Sequence, residues 1–477
     1  MHKFTFTMIA LLLGTATAVQ ADVISLTTSK AVGEELTLAL NTGVSAELTW
    51  GSGDSETVSF TGVPTTVTVK DESLTITTSS TITLFYAPSD GLTALDVSEA
   101  TSLKKLFCPA NELTTLSLTT NTALEELDCQ ANELSTLSLT KCTSLTDLNC
   151  AQNNLTSLTY SSTAAKIMET LIFNENSVGT LRNYSSMSAL ETIWGNNNSL
   201  TSLSLKNSSD LKQLCMSSNA LATLTLGEKD ALTDLWVENN ELTEIDFSSG
   251  AGALVTVSVN DNALDTIIWD SSCKSTIDYF YAQNNNLYYN SFPTASRLEA
   301  WNVAPQSAYH ILDAAIVGTT YNLSGYLRYD GFSTAHKPSY VAIDDETGDT
   351  LVSGTDYGIT TQGSVKFYTA HTGGVTIYAT SSSFGSTLII DAIPVFEDED
   401  SYDAYIAGIP TVAASTAAAL GISIGDGVIV VSAASATPVN IYNLAGQQVA
   451  GTVVSGTKSI AVPAGVYIVN GTKVLVP

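Results

Sequence analysis

A frame of eleven residues, L-x-x-L-x-C-x-x-N-x-L, returns every 21 to 23 residues from about residue 80 to residue 306. "LKKLFCPANEL", "LEELDCQANEL" and "LTDLNCAQNNL" follow it in succession. It continues through "METLIFNENSV", "LETIWGNNNSL", "LKQLCMSSNAL", "LTDLWVENNEL", "LVTVSVNDNAL" and "IDYFYAQNNNL". A weaker copy stands at each end, "ITLFYAPSDGL" and "LEAWNVAPQSA". A unit this short cannot bury its own apolar side, so successive copies must stack and share one core.

Within the frame the first, fourth and sixth positions are apolar and the second, third and fifth mostly polar. That alternation predicts a short strand with one buried face. At the ninth position stand Asn111, Asn132, Asn153, Asn176, Asn198, Asn219, Asn240, Asn262 and Asn285, with Asp90 and Gln306 at the two ends. The chain leaves the strand there, and an amide can serve backbone groups of its own turn and of the adjacent one. The second half of each copy, such as "LTTLSLTTNTA", holds further apolar positions and no helix-forming stretch, so that side is expected to be extended or irregular.

Motif and period resemble the leucine-rich repeat family. The resemblance implies a solenoid with parallel strands along a concave face, where such arrays engage partners. The outward fifth position reads Tyr86, Phe107, Asp128, Asn149, Ile172, Trp194, Cys215, Trp236, Ser258, Tyr281 and Asn302. Tyr279 points outward beside Tyr281, and Trp194 and Trp236 fall two strands, roughly 10 Å, apart. Exposed aromatics on a rigid face anchor protein interfaces and stack on sugar rings. Phe107, Asp128, Trp194, Trp236, Tyr279 and Tyr281 are therefore the candidate ligand-binding residues.

Cys108, Cys129 and Cys150 occupy the sixth position, where other copies place Phe173, Met216, Val237, Val259 and Val303. They read as small buried hydrophobes. Stacked strands hold neighbouring Cβ atoms farther apart than the ~3.8 Å of a disulfide. Cys142, Cys215 and Cys273 lie at other positions, so six free thiols are expected.

The flanks read differently. Residues 1–21 have the layout of a cleavable export signal: a Lys, a short apolar run, then "AVQA", with cleavage expected after Ala21 or alternatively after Ala18. No transmembrane segment is expected beyond it. Residues 22–79 alternate as a small β cap covering the first repeat's open edge. Residues 307–395 are strand-rich and resemble the immunoglobulin-like modules that follow leucine-rich repeats in bacterial surface proteins. "FEDEDSYDAY" opens a solvated linker over residues 396–420. Residues 421–477, with "VNIYNLAGQQV" and "VPAGVYIVNGTKVLV", resemble the C-terminal sorting domain of type IX secretion. That resemblance implies passage to the outer cell surface or secretion, with the secretion machinery as one partner. The fold class expected is thus mostly β: a solenoid of about eleven repeats, an N-terminal cap, an Ig-like sandwich and a small C-terminal β-sandwich.

A net charge of −29 repels nucleic acid and anionic membrane surfaces. No metal or cofactor is implied. His2, His310, His336 and His371 are scattered, "GISIG" (Gly421–Gly425) precedes another strand-like run instead of a helix, and the adjacent pairs Glu125/Glu126 and Asp344/Asp345 do not converge as strand or turn neighbours. The expected function is recognition of an extracellular protein or glycan by a protein that is not an enzyme. The alternative is a carbohydrate-active or peptidase-like protein with the solenoid as its targeting arm.

Overall fold

The computed structural model describes residues 21–476 except 182–185, 294–297, 309–311, 313, 324–337, 361–362, 382–385, 409–420, 426–427, 444–447, 463–464 and 470–471. Residues 1–20 of the expected export signal, His310 and His336 lie outside the described residues. The chain forms two compact units, Met1–Glu241 with Ser249–Leu254, and Leu242–Ser248 with Val255–Pro477.

In the first unit every copy of the frame supplies a three-residue strand, from Leu84–Tyr86 and Lys105–Phe107 to Gln213–Cys215 and Asp234–Trp236. The strands run parallel and in register, so each frame position sits beside its equivalent in the next copy. Middle residues such as Phe85, Leu106 and Leu235 are fully buried, and the outer two of each strand face away from the core. The alternation in the frame is this in-and-out pleat.

The asparagine column becomes a hydrogen-bond ladder. Asn132 Nδ2 donates to the carbonyls of Cys129 in its own copy and Cys108 in the preceding one, both at 3.0 Å, while its Oδ1 accepts from Leu113 N at 3.0 Å. Asn153 and Asn219 repeat the pattern. The residue just before each ladder position has a left-handed backbone, with φ of 53–56° from Ser89, Ala110 and Ala131 to Asn284. None of these ten is glycine. The conformation costs roughly 1 kcal/mol or more for a residue with a Cβ, and the ladder bonds on either side hold it.

Each array end replaces the asparagine to suit what faces it. Asp90 accepts from Thr37 N at 2.8 Å and from Lys30 Nζ at 3.0 Å, both on the cap. In the second unit Gln306 Nε2 donates to the carbonyls of Ala282 and Val303, and its Oε1 accepts from Leu287 N at 2.8 Å.

The cap joins the array along two edges. Glu35–Leu40 pairs antiparallel with Leu84–Tyr86, and Asp22–Thr28 pairs antiparallel with Leu92–Asp96. Both sheet edges of the first copy are thereby hydrogen-bonded instead of open. Trp50, Phe60, Leu48 and Ile76 fill the cap's own core.

On the opposite side the copies carry short parallel pairs such as Ser202–Ser204 with Thr223–Thr225. The expectation of a side without helix is corrected at three places among the described residues, Ala164–Ile167 and the 3-10 turns Cys273–Ser275 and Tyr289–Ser291. The first two fall in stretches where successive ladder residues are 23 apart (Asn153 to Asn176, Asn262 to Asn285), so the extra residues coil into a turn on that side and leave the strand register intact.

In the second unit Thr256–Ser258, Tyr279–Tyr281 and Ala300–Asn302 continue the frame. Beyond it stand a four-stranded sheet ordered Ala315–Ile316, Ser386–Phe396, His371–Ser381, Ser339–Asp344, and a three-stranded one of Thr320–Asn322, Ser364–Phe367, Tyr357–Ile359. Tyr289, fully buried in the last repeats, donates from Oη to Ala379 O of the four-stranded sheet at 2.6 Å. The acidic run read as a solvated linker contains a helix, Glu399–Gly408. Asp398 caps it, its Oδ1 accepting from Ser401 N at 2.8 Å, with Glu399 and Asp400 in the first turn. Negative side chains stabilise a helix N-terminus, which is why these residues coil. The described strands of the tail form one five-stranded antiparallel sheet around Ile429, Val431, Val439, Ile441 and Val454.

Candidate binding face of the repeats

The outward residues of the first unit's repeat strands build a continuous surface from Tyr86 to Trp236. Four of its side chains are acidic, Glu126, Asp128, Asp147 and Asp234, against Lys105. Lys105 is engaged by Glu126, and Lys104 beside it pairs with Glu125 at 2.8 Å. Exposed pairs of this kind contribute at most ~1 kcal/mol each; here they pair two lysines and leave Asp128 and Asp147 with no ion pair among the described residues.

Phe107 and Asp128 are register partners on adjacent strands, and both are partly buried. The Tyr86 and Phe107 rings meet edge to face with centroids 6.4 Å apart. Burial raises the Asp128 carboxyl above its usual range, against hydrogen bonds from Gln130 N and Asn149 that lower it.

Trp194 and Trp236 flank Cys215 in one row. Both indoles are partly buried. Cys215, expected to be exposed, is 8% accessible between them, and its thiol is pushed up to about 12, first by burial and then by the carboxylates of Glu238 and Asp234. Ser258 in the second unit is buried likewise, with Oγ donating to Asn260. Three buried polar atoms around the Trp row lack a hydrogen-bond partner among the described residues: Trp194 Nε1, Ser217 Oγ and Glu238 Oε2. An orphaned donor beside orphaned acceptors is costly unless something else completes them.

Tyr279 and Tyr281 lie together on one strand of the second unit, where Tyr279 Oη donates to Glu299 at 2.7 Å. The six sequence-derived residues thus form pairs, Phe107 with Asp128, Trp194 with Trp236 across one strand, and Tyr279 with Tyr281.

The six cysteines are free and buried. Burial pushes the Cys108 and Cys150 thiols up to about 12, the opposite of what a nucleophile or metal ligand needs.

One cluster escaped the sequence reading. His371 Nδ1 lies 2.6 Å from Asp344 Oδ2, and Thr369 Oγ1 lies 2.8 Å from His371 Nε2. The order hydroxyl, imidazole, carboxylate is that of a hydrolytic triad. Thr369, however, sits in an exposed turn, and Asp344 Oδ1 accepts from the backbone N–H groups of Glu346 and Thr347, so the carboxylate serves as a turn clamp. Ser423 of "GISIG" lies in mid-strand, paired with Val430, and no strand-to-helix elbow exists there.

Strand register, outward pleat and asparagine ladder together define a leucine-rich repeat solenoid. A scan against protein-family models finds no match, and a search of curated proteins finds none. Among solved structures the chain is similar to the functional domain of InlJ from Listeria monocytogenes, which includes a cysteine ladder, at 17% identity over 69% of this chain and 94% of that one, with a TM-score of 0.27. It is similar to a leucine-rich repeat protein of Leptospira interrogans at 18% identity over 47% and 61%, TM-score 0.38. It is also similar to the leucine-rich repeat domain of APL1B at 21% identity over 44% and 62%, TM-score 0.37. The match spans less than two thirds of the last two chains.

Proposed function

We propose that this chain is an exported binding protein whose repeat strand face, the concave side of the solenoid, recognises an extracellular protein or glycan. The leader and the C-terminal tail would carry it to the outer surface or into the medium, and the sheets after the repeats would act as a spacer. One observation carries the reading: two partly exposed indoles, Trp194 and Trp236, flank a buried thiol in one row of the strand face. Aromatic faces held on a rigid surface are what a sugar ring or an apolar side chain of a peptide stacks on.

The test is binding of the full chain to a glycan array and a panel of extracellular-matrix proteins, then to the best ligand after Trp194→Ala with Trp236→Ala. Loss of affinity by tenfold or more is expected. An affinity within twofold of the parent would remove the Trp row from the site.

A further inference from the structure

At the cap end of the same face lies a hollow of about 310 Å³, lined by Ala39, Gly62, Pro64, Leu84, Tyr86 and Phe107. Three of these residues come from the cap and three from the first two repeat strands, so neither part makes the hollow alone. Its lining is almost wholly apolar, and Val63, on the loop that forms its rim, leaves 59% of its surface in water. The pairing of Ala39 with Tyr86 fixes the floor, and the edge-to-face contact of Tyr86 with Phe107 fixes one wall. On the far side of Phe107 a second hollow of about 160 Å³ begins, bounded by Glu126, Asp128, Asp147 and Asn149. Phe107 is the shared wall.

We propose that these adjoining hollows are a two-point docking site for an extended segment of a basic protein partner, which seats a large apolar side chain in the cap hollow and a lysine or arginine against Asp128 and Asp147. This rests on the strand-face reading and names the class of partner for one end of that face. The apolar volume, at the lower limit of small-ligand pockets, suits one side chain. Charge complementarity selects the second: Lys105 is paired with Glu126, whereas Asp128 and Asp147 line the hollow with no ion pair among the described residues, on a chain of net charge −29. Asp128 is already poorly solvated, as the upward displacement of its carboxyl indicates, so little hydration remains to be lost when a cation arrives.

Register also sets the spacing. Tyr86, Phe107, Asp128 and Asn149 stand in one row on successive strands. At ~4.8 Å per strand the hollow and the carboxylates are roughly 10–14 Å apart, or three to four residues of extended chain at ~3.3 Å each. The recognised pattern is therefore an aromatic or large aliphatic residue followed or preceded three or four positions away by Lys or Arg.

The experiment is selection of a displayed random heptapeptide library on the immobilised full chain, followed by affinities of synthetic versions of the enriched peptides. Peptides with the apolar and basic pair at that spacing are expected. Tyr86→Ala and Asp128→Asn should each weaken them fivefold or more, the second losing its effect at high salt. Enrichment without a basic residue, or peptides indifferent to both cap-end variants while the variants melt like the parent, overturns the proposal. Peptides lost with Trp194→Ala but not with Tyr86→Ala overturn it and leave the strand-face reading standing. No enrichment from the library, with glycans or matrix proteins still bound through Trp194 and Trp236, has the same meaning.

Discussion

Lys229 is fully buried, with Nζ donating to the carbonyls of Leu205 and Glu228 at 2.9 Å each. Its column on the far side of the repeats holds Asn121, Cys142 and Ser208, each reaching back to a carbonyl of the preceding copy. The ammonium fills the same role with a charge attached, and burial lowers it from 10.5 to about 8. Because the folded value lies below the unfolded one, the penalty is full below pH 8 and is relieved as pH rises towards 10.5, a difference on the order of 3 kcal/mol. Lys229→Met should thus be more stable than the parent in urea unfolding at pH 7, with the advantage fading by pH 10. Reading the difference between the two proteins isolates Lys229 from the cysteines, which act in the opposite sense. Their raised thiols, about 12 for Cys108, give stability that is whole below pH 9 and lost at higher pH. An advantage that does not change between pH 7 and pH 10 would show that the fold does not lower the lysine's pKa.

At the scale of the element, the ladder turn explains both what sequence reveals and what it conceals. The strand pleat and the asparagine column were legible because a period repeated eleven times averages out local ambiguity. Asp90 and Gln306 stood out as deviations, and their partners explain them: Asp90 faces donors only, whereas Gln306 still faces carbonyls. The left-handed residue before each ladder position was not legible, since Ser, Ala, Gln, Glu, Asn and Asp all occupy it and no glycine marks it. Helix Glu399–Gly408 was missed because its capping aspartate sits inside an acidic run that resembles a solvated strand of charge. The ladder makes a sharp prediction. Asn132→Asp keeps an acceptor for Leu113 N but turns a carboxylate towards the carbonyls of Cys108 and Cys129. It should cost about 2–4 kcal/mol by equilibrium unfolding at pH 7, with part recovered near pH 4 as the carboxyl protonates. A loss that is independent of pH would mean the carboxylate finds another donor.

For the molecule as a whole, the cap hollow was invisible in sequence because its six residues come from four separated segments, Ala39, Gly62–Pro64, Leu84–Tyr86 and Phe107. Only the antiparallel pairing of cap to first repeat brings them together. The outward column itself was legible, down to Phe107 and Asp128, since alternation fixes which side chains leave the core. The cap's two edge pairings carry a prediction at this scale. Deleting residues 22–79 should leave the Leu84–Tyr86 and Leu92–Asp96 strands with open edges, and the truncated chain should run as dimers or larger assemblies in analytical ultracentrifugation. A truncated chain that sediments as a monomer would show that the first repeat protects its own edges.

The unlike side chains at the two ends of the ladder also bear on how such a chain can change length. The side-chain amides of internal asparagines such as Asn132, Asn153 and Asn219 bond to the copy before and to the turn they sit in, so an additional copy inserted between Asp90 and Gln306 meets the same hydrogen-bonding sentence on both sides. Those two residues act as its opening and closing punctuation: the reach of the binding surface can be lengthened or shortened by whole copies without rewriting either end.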